Sequence, residues 1–400
     1  MILHMTKHRN PFDVKQRKPP QAATSRGGFI LEVKNMDIYI HSDGPDDGYL
    51  NIPEIYKYMV ENNCIYCFLI GPRGTGKSYG VQKYLVEEYP DPFLYFRLAV
   101  DEVEAMLNPE YNAFNKYNMK EGKEIIFEKM PHVKELAIKD LSPGCERENI
   151  GMAVSLKRFG KLRGVSMEKF TLAFLDEFIP EKTVRKEKGQ GEGLLQSYET
   201  INRNRELEGQ PPLRFICVAN TNNINSDILL DFNLIPIIEM MEKKDYEYYA
   251  KKRTLVVFPR HSPISKRKAE ETALYNSLGA ESGSYRDMAI DNKFARHYTG
   301  NVETCKLHKG FEMKFIFRNC LFLRGSDFWY VTDAANADQL KGKVLGDPEK
   351  IPYYGDSDFE IQQLKRRWYF LPDIYLNGNI KFERSDLELR FINLFKMDKT

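Results

Sequence analysis

The stretch CIYCFLIGPRGTGKS, residues 64–78, decides the fold of this 400-residue chain. Its first seven residues are apolar and rich in β-branched and aromatic side chains, which predicts a buried β-strand. Residues 71–78 match the pattern G-x-x-x-x-G-K-[S/T] in full, and residues 78–88 have helical spacing. A glycine-rich loop between a buried strand and a helix is the context of a phosphate-binding loop, so the pattern favours such a loop over a chance glycine turn.

Each residue type in this loop has a chemical use. The glycines let the backbone turn its N–H groups toward a polyphosphate at the positive end of the following helix. Lys77 is predicted to reach the β- and γ-phosphates, and the Ser78 hydroxyl to ligate Mg²⁺. The sequence therefore predicts ATP and Mg²⁺ as cofactors. The predicted nucleotide-binding residues of the loop are Gly71, Arg73, Gly74, Thr75, Gly76, Lys77 and Ser78.

Two later apolar strands end in polar side chains. TLAFLDE at 171–177 ends in an acid pair, in which Asp176 is the expected magnesium partner of the loop serine. Glu177 is then placed to orient and deprotonate an attacking water. RFICVAN at 214–220 ends in Asn220, whose amide is predicted to lie beside the phosphates. The alternative is that the two acids only begin a solvent-exposed loop and have no catalytic role. It is less favoured, because they follow five apolar residues and lie downstream of a phosphate loop.

Basic side chains near the Asp-Glu strand are candidates for groups acting on the nucleotide of a neighbouring subunit. We predict a helix over 193–208 that carries Arg203 and Arg205. A cation that acts in trans on the leaving phosphates accelerates hydrolysis. The alternative is surface charge pairing with nearby glutamates, worth only tenths of a kcal/mol. Lys161 and Arg163, upstream of the acid strand, are further candidates.

Composition divides the chain into four predicted regions. Residues 1–50 are a basic arm and lead-in, and 51–260 hold the nucleotide-binding domain. Within that domain, residues 101–150 are polar and predicted to be a partly helical insertion. Residues 261–294, rich in charge, serine and glycine, are predicted to be a linker or lid, and 295–400 a smaller second domain.

The spacing of the apolar strands predicts the fold class. In the first domain, short buried strands alternate with helices, which indicates an α/β fold with a parallel sheet and helices on both faces. In the second, FEMKFIF at 311–317 alternates apolar and polar residues, and NCLFLR and DFWYVTD follow around a tight turn. This pattern predicts an antiparallel meander in an α+β domain. The predicted parallel strands are 64–70, 93–100, 171–175 and 214–219.

Composition excludes several classes of protein. Hydrophobic residues make up 42% and charged residues 29%, which is typical of a globular chain. No apolar run approaches the ~18–20 residues of a membrane span, and no secretory signal is visible at the start. Six cysteines are too few for a disulfide scaffold, so we expect a cytosolic protein. The net charge of +2 conceals basic clusters, among them residues 251–268 with seven basic residues and no acid.

Several of these motifs together resemble the DNA-packaging ATPases of phi-29-type tailed phages. The likeness runs in the same order along the chain from about residue 50 to the end, and DEFIPEK and NRNRE are more specific than the phosphate loop alone. The segments that carry it are GPRGTGKSYG, LAFLDEFIPEK, NRNRE, CVAN and YRDMAIDNKF.

The resemblance implies an additional-strand P-loop (ASCE) fold, a homopentameric ring at the portal vertex of an empty procapsid in the host cytoplasm, and ATP-driven import of double-stranded DNA. It implies that the second trans-acting cation is either Lys161 or Arg163. The phosphate-binding lysine, the acid pair and the trans arginine finger map to Lys77, Asp176, Glu177 and Arg203.

The resemblance also implies a carboxy-terminal domain like a ribonuclease-H nuclease that has lost its acids. The residues agree, because strand 311–317 offers only Glu312 and the meander ends at Asp333, whereas a two-metal nuclease needs several convergent carboxylates. Some members dock on a structural RNA, and the sequence leaves open whether this chain does. We expect sequence-independent DNA contacts from basic residues near Arg97 and in the insertion.

Three other functions share some of these features. A small-substrate phosphotransferase has the phosphate loop but no catalytic Asp-Glu pair. A helicase or replication-initiation ATPase is the main alternative, and would carry a DNA-binding module such as a helix-turn-helix, which we do not find. A non-enzymatic scaffold with a decayed site is disfavoured, because every required side chain is present.

Overall fold

The computed structural model describes residues 36–131, 133–145, 148–159, 167–180, 189–273, 292, 294 and 301–397. Most of the predicted basic arm lies outside the described residues. So do Lys161, Arg163 and most of the predicted linker.

Within the described residues, nine strands form one large sheet, which confirms the predicted α/β class. They are β1 (Tyr66–Ile70), β2 (Phe93–Arg97), β3 (Ile125–Lys129), β4 (Leu136–Asp140), β5 (Asn149–Ser155), β6 (Leu172–Asp176), β7 (Arg214–Ala219), β8 (Tyr248–Lys251) and β9 (Thr254–Val257). Their order across the sheet is β3-β4-β5-β2-β6-β7-β1-β9-β8. From β5 to β9 every neighbouring pair is parallel, whereas β3, β4 and β8 pair antiparallel at the edges.

The central strands are apolar throughout because both faces of the sheet are covered. Phe68 and Ile70 of β1 lie in one core, and Cys67 and Leu69 lie in the other. All four are fully buried, as expected where successive side chains point to opposite faces.

Helices cover the two faces. They are α1 (Ile52–Glu61), α2 (Lys77–Glu87), α3 (Val100–Ala105), α4 (Asn115–Glu121), α5 (Leu156–Phe159), α6 (Gln190–Asn202), α7 (Asp227–Asp231), α8 (Ile235–Lys244) and α9 (Pro263–Glu271). None of the described helices is long and apolar enough to cross a membrane. Helix α1 begins where the Asn51 side chain accepts a hydrogen bond from the Glu54 N–H (3.2 Å).

Two sequence predictions need correction. The insertion at 101–150 is partly helical as predicted, but it also contributes β3, β4 and the start of β5 to the sheet. The prediction missed β3 and β4 because only alternate residues of these strands are fully buried, and charged side chains such as the half-buried Lys139 lie between them and masked the pattern. Helix α6 ends at Asn202 rather than 208, because Arg203 has φ of 42°.

A second, five-stranded sheet lies in the carboxy-terminal part. It contains β10 (Glu312–Phe317), β11 (Cys320–Arg324), β12 (Trp329–Asp333), β13 (Tyr353–Tyr354) and β14 (Ile380–Phe382), in the order β13-β10-β11-β12-β14. The antiparallel pairing of β10 with β11 and of β11 with β12 confirms the predicted meander. In the part of the chain that the structure describes, the helices that pack with it are α10 (Asp358–Arg367), α11 (Leu371–Leu376) and α12 (Ser385–Phe395).

Helix α12 connects the two sheets. Leu389 is part of the core of the first sheet, and Arg390 Nη2 donates to the Leu230 carbonyl (2.6 Å) at helix α7. Asn225 and Asn393 exchange hydrogen bonds through their side-chain amides, at 2.9 and 2.8 Å. This amide pair joins the last helix to the loop that follows β7.

Candidate nucleotide-binding site

Four parallel strands bring their polar ends to one edge of the sheet. The strands β2, β6, β7 and β1 are consecutive in the sheet and all run in the same direction. Their carboxyl ends therefore place the phosphate loop, Asn220, the pair Asp176 and Glu177, and Arg97 together. Crevices at the carboxyl ends of parallel strands are the usual ligand sites of such sheets.

The loop has the left-handed turns that the glycine pattern predicts. Gly74 and Gly76 have φ of 82° and 80°, a region that favours glycine. A Cβ on Gly76 would lie 2.5 Å from Tyr49 Cδ1, so this position also has no room for a side chain. The buried Thr75 hydroxyl donates to the Pro72 carbonyl (3.0 Å) and closes the turn.

Lys77 is buried in the middle of the site. Its Nζ donates to the carbonyls of Gly71 (2.9 Å) and Pro72 (2.6 Å) and to Asn220 Oδ1 (3.0 Å). The predicted strand-end amide therefore contacts the predicted phosphate-binding lysine. Burial lowers the pKa of Lys77 to about 7, although the nearby Asp176 carboxylate opposes that change. An anion beside this ammonium would stabilise its charged form.

Ser78 and Asp176 lie together as a magnesium site requires. Ser78 Oγ donates to Asp176 Oδ1 (2.7 Å), and the Tyr95 hydroxyl donates to Asp176 Oδ2 (3.0 Å). Burial raises the pKa of Asp176, and the Arg97 guanidinium opposes that rise. Hydroxyl and carboxylate oxygens are the ligands that Mg²⁺ prefers, so these two residues fit the ion. The described residues contain no group of three or more His, Cys, Asp or Glu that could hold a metal.

Arg97 is part of this site, which the sequence analysis did not predict. Its Nη2 donates to Glu177 Oε2 (2.6 Å), and its Nη1 lies 3.6 Å from Asp176 Oδ2. Its side chain is only 15% exposed, and the expectation of DNA contacts from basic residues near Arg97 stays a prediction. Its position at the carboxyl end of β2 was the available signal. Glu177, with φ of 55° and a half-exposed side chain, follows β6 directly.

Arg203 lies away from its own phosphate loop. It is exposed at the end of α6, where its Nε donates to the Thr200 carbonyl (3.3 Å). The preceding residue, Asn202, accepts from the Leu213 N–H (2.9 Å) just before β7 begins. Arg203 is therefore at the amino end of the parallel strands, and the phosphate loop is at the carboxyl end, roughly 16 Å away for a five-residue strand.

Arg205 has a different environment from Arg203. It is buried, and its Nη2 donates to the Glu168 carbonyl. It thus anchors the turn after α6, and the predicted position of both arginines on a helix is wrong.

A comparison with known protein families decides the family. The model of the podovirus DNA encapsidation protein (Gp16) matches residues 53–329, more than half of the chain. The chain belongs to this family. Encapsidation proteins of this family package viral DNA, and that is the function that membership assigns to the chain. The resemblance identified from the motifs is confirmed.

Individual relatives of the encapsidation family agree. The DNA packaging protein of Bacillus phage phi29 is 26% identical over 265 residues, which cover 65% of this chain and 70% of that protein. The DNA packaging protein of Bacillus phage B103 is 25% identical over 269 residues, covering 65% and 74%. The solved bacteriophage Phi-29 viral genome packaging motor assembly contains a chain with a TM-score of 0.57 and 17% identity, covering 87% of this chain and 98% of that one. This last likeness shows a shared fold.

Proposed function

We propose that the chain is the ATP-hydrolysing subunit of a motor that translocates double-stranded viral DNA into an empty procapsid. The observation that carries the proposal is the convergence, at one sheet edge, of the phosphate loop, the Ser78–Asp176 contact and the Lys77–Asn220 contact. These are the parts that bind a nucleoside triphosphate with Mg²⁺. Membership of the DNA encapsidation family indicates that viral DNA is what the motor moves.

The strand order supports an additional-strand P-loop fold. Strand β7 lies between β1, which precedes the phosphate loop, and β6, which ends in the acid pair. That extra strand brings Asn220 within hydrogen-bond distance of Lys77 (3.0 Å). In this position the amide also lies where it can sense the terminal phosphate.

We assign the hydrolytic roles as follows. Backbone N–H groups of the loop and Lys77 hold the phosphates, and Ser78 and Asp176 would hold Mg²⁺, which neutralises charge on the phosphate oxygens when bound. Glu177 orients the attacking water and accepts its proton. Arg97 fixes the direction of the Glu177 carboxylate through the ion pair at 2.6 Å.

We also propose that the active site is shared between subunits of a ring, with a pentamer as the expected form. Arg203 supports this, because it is exposed at the far end of the strands from its own loop and is open to another subunit. Lys161 and Arg163 stay predictions as the second trans-acting group, as do docking on the portal and on a packaging RNA.

The carboxy-terminal sheet fits a nuclease domain without its metal centre. Arg384 donates to Asp333 Oδ2 (3.0 Å) and to both oxygens of Asp386 (2.9 and 3.1 Å). A guanidinium therefore lies between two carboxylates that would otherwise be available to a cation. The four-region division of the chain stays a prediction, which the presence of two separate sheets supports.

The test is ATPase activity of the purified chain with and without empty procapsids and DNA. We expect hydrolysis that increases when both are present, and loss of nucleotide binding in Lys77→Ala, which lacks the ammonium facing the phosphates. Tight, sequence-specific DNA binding at physiological salt, with no response to procapsids, would favour the helicase or replication-initiation alternative.

A further inference from the structure

Helix α9 lies against the phosphate loop, although its sequence predicts only linker. Lys268 Nζ donates to the Arg73 carbonyl (3.0 Å), and a Cβ on Gly74 would lie 3.5 Å from that Nζ. The ammonium is therefore at the first turn of the loop. The helix is held there by further contacts, since Pro263 packs on Gly48 and Arg267 donates to the Asp47 carbonyl (2.5 Å).

Three cations thus surround one short loop. Lys77 and Arg73 belong to the loop, and the ammonium of Lys268 contacts it. Burial, and then the charge of Arg73, lower the pKa of Lys268. Such mutual repulsion is relieved by a polyanion, which makes the cluster complementary to a polyphosphate.

The position of Lys77 indicates which phosphate lies near Lys268. Lys77 is expected to contact the β- and γ-phosphates, and its Nζ bonds to the carbonyls of Gly71 and Pro72 at the start of the loop. The terminal phosphate therefore lies toward this first half of the loop. Lys268 reaches the same half, at the carbonyl of the next residue, Arg73.

We propose that Lys268 binds the terminal phosphate of ATP and so makes the site prefer ATP to ADP. The ammonium exchanges the Arg73 carbonyl, a neutral acceptor, for a negatively charged phosphate oxygen, and a hydrogen bond between two opposite charges is the stronger of the two. This inference rests on the proposed function, because it takes ATP as the ligand of the loop.

The experiment measures binding of a non-hydrolysable ATP analogue and of ADP, each with Mg²⁺, to the full chain. Lys268→Gln removes the charge, Lys268→Arg keeps it, and Lys266→Gln is the matched control on an exposed site of the same helix. We expect Lys268→Gln to weaken binding of the analogue about tenfold or more, while the affinity for ADP changes less than twofold. Lys268→Arg should recover part of that loss, and the control should bind both nucleotides like the wild type.

Equal weakening of both nucleotides by Lys268→Gln, or no weakening of either, would overturn the assignment, because a merely structural lysine does not distinguish them. Either result leaves the proposed function intact as long as the wild type binds ATP and Lys77→Ala does not. A wild-type chain that binds neither nucleotide would overturn both proposals.

Discussion

The buried lysine of the phosphate loop should make nucleotide affinity depend on pH above neutrality. Lys77 has a pKa of about 7 in the nucleotide-free protein, against an ordinary value of 10.5. Bound phosphates stabilise the ammonium, so binding above pH 7 must take up a proton. Each pH unit then costs about 1.4 kcal/mol, a factor of roughly ten in Kd. The Kd of a non-hydrolysable ATP analogue should therefore rise about tenfold per unit between pH 7.5 and 9.

Isothermal titration calorimetry in buffers of different ionisation enthalpy measures the proton uptake directly. We expect about one proton per nucleotide at pH 8.5. A Kd that stays constant from pH 7.5 to 9 with no proton uptake would refute the reasoning.

The same lysine should affect the stability of the nucleotide-free protein. The folded-state pKa lies below the unfolded one, so between about pH 7 and 10.5 the unfolded chain binds more protons. The free energy of unfolding should therefore rise with pH across this range. Denaturant titrations should show that the free energy of unfolding rises with pH in the wild type. The rise should be weaker in Lys77→Met, because that variant has no titratable group at position 77.

The remaining predictions concern the acids, the shared site and the second sheet. Glu177→Gln should bind ATP but release almost no phosphate, because it keeps the shape and loses the base; wild-type turnover would contradict its role. Arg97→Gln should lower the rate of ATP hydrolysis while leaving nucleotide affinity near wild type, because Glu177 loses the ion pair at 2.6 Å that orients its carboxylate; Arg97→Lys should recover part of the rate, and an unchanged rate would count against this role. Mixing Glu177→Gln with Arg203→Ala subunits should restore ATPase activity in rings, because some interfaces then pair an intact Glu177 with an intact Arg203. A trans arginine contributes ~10³–10⁵ in rate. An inactive mixture, together with wild-type activity of Arg203→Ala alone, would exclude a shared site. The full chain should leave supercoiled plasmid intact in Mn²⁺, and nicking that disappears in Glu312→Ala would show an active nuclease.

The parts of the site that could be predicted from sequence are those set by local pattern. Strand β1, the glycine loop and α2 are continuous in the chain, and Asp176 and Asn220 each follow an uninterrupted apolar strand. Parallel strands bring such ends together, so their meeting could be expected before any coordinates.

The parts that sequence did not predict depend on which segments become neighbours. Arg97 is in the site only because β2 pairs with β6, which lies some 80 positions further along the chain. Lys268 belongs to a helix of high charge, whose pattern gives no apolar face by which to predict packing. The end of α6 was misplaced because a non-glycine residue, Arg203, adopts positive φ there, which propensity disfavours.

The amide pair of Asn225 and Asn393 is uncharged, and that sets its response to salt. Neutral hydrogen bonds are not screened by ions, whereas contacts with DNA phosphates weaken steeply as ionic strength increases. Neither amide titrates, so the pair also holds at any pH at which the protein is folded. A rise in ionic strength should therefore weaken binding to DNA, while the hydrogen bonds between the loop after β7 and the last helix persist.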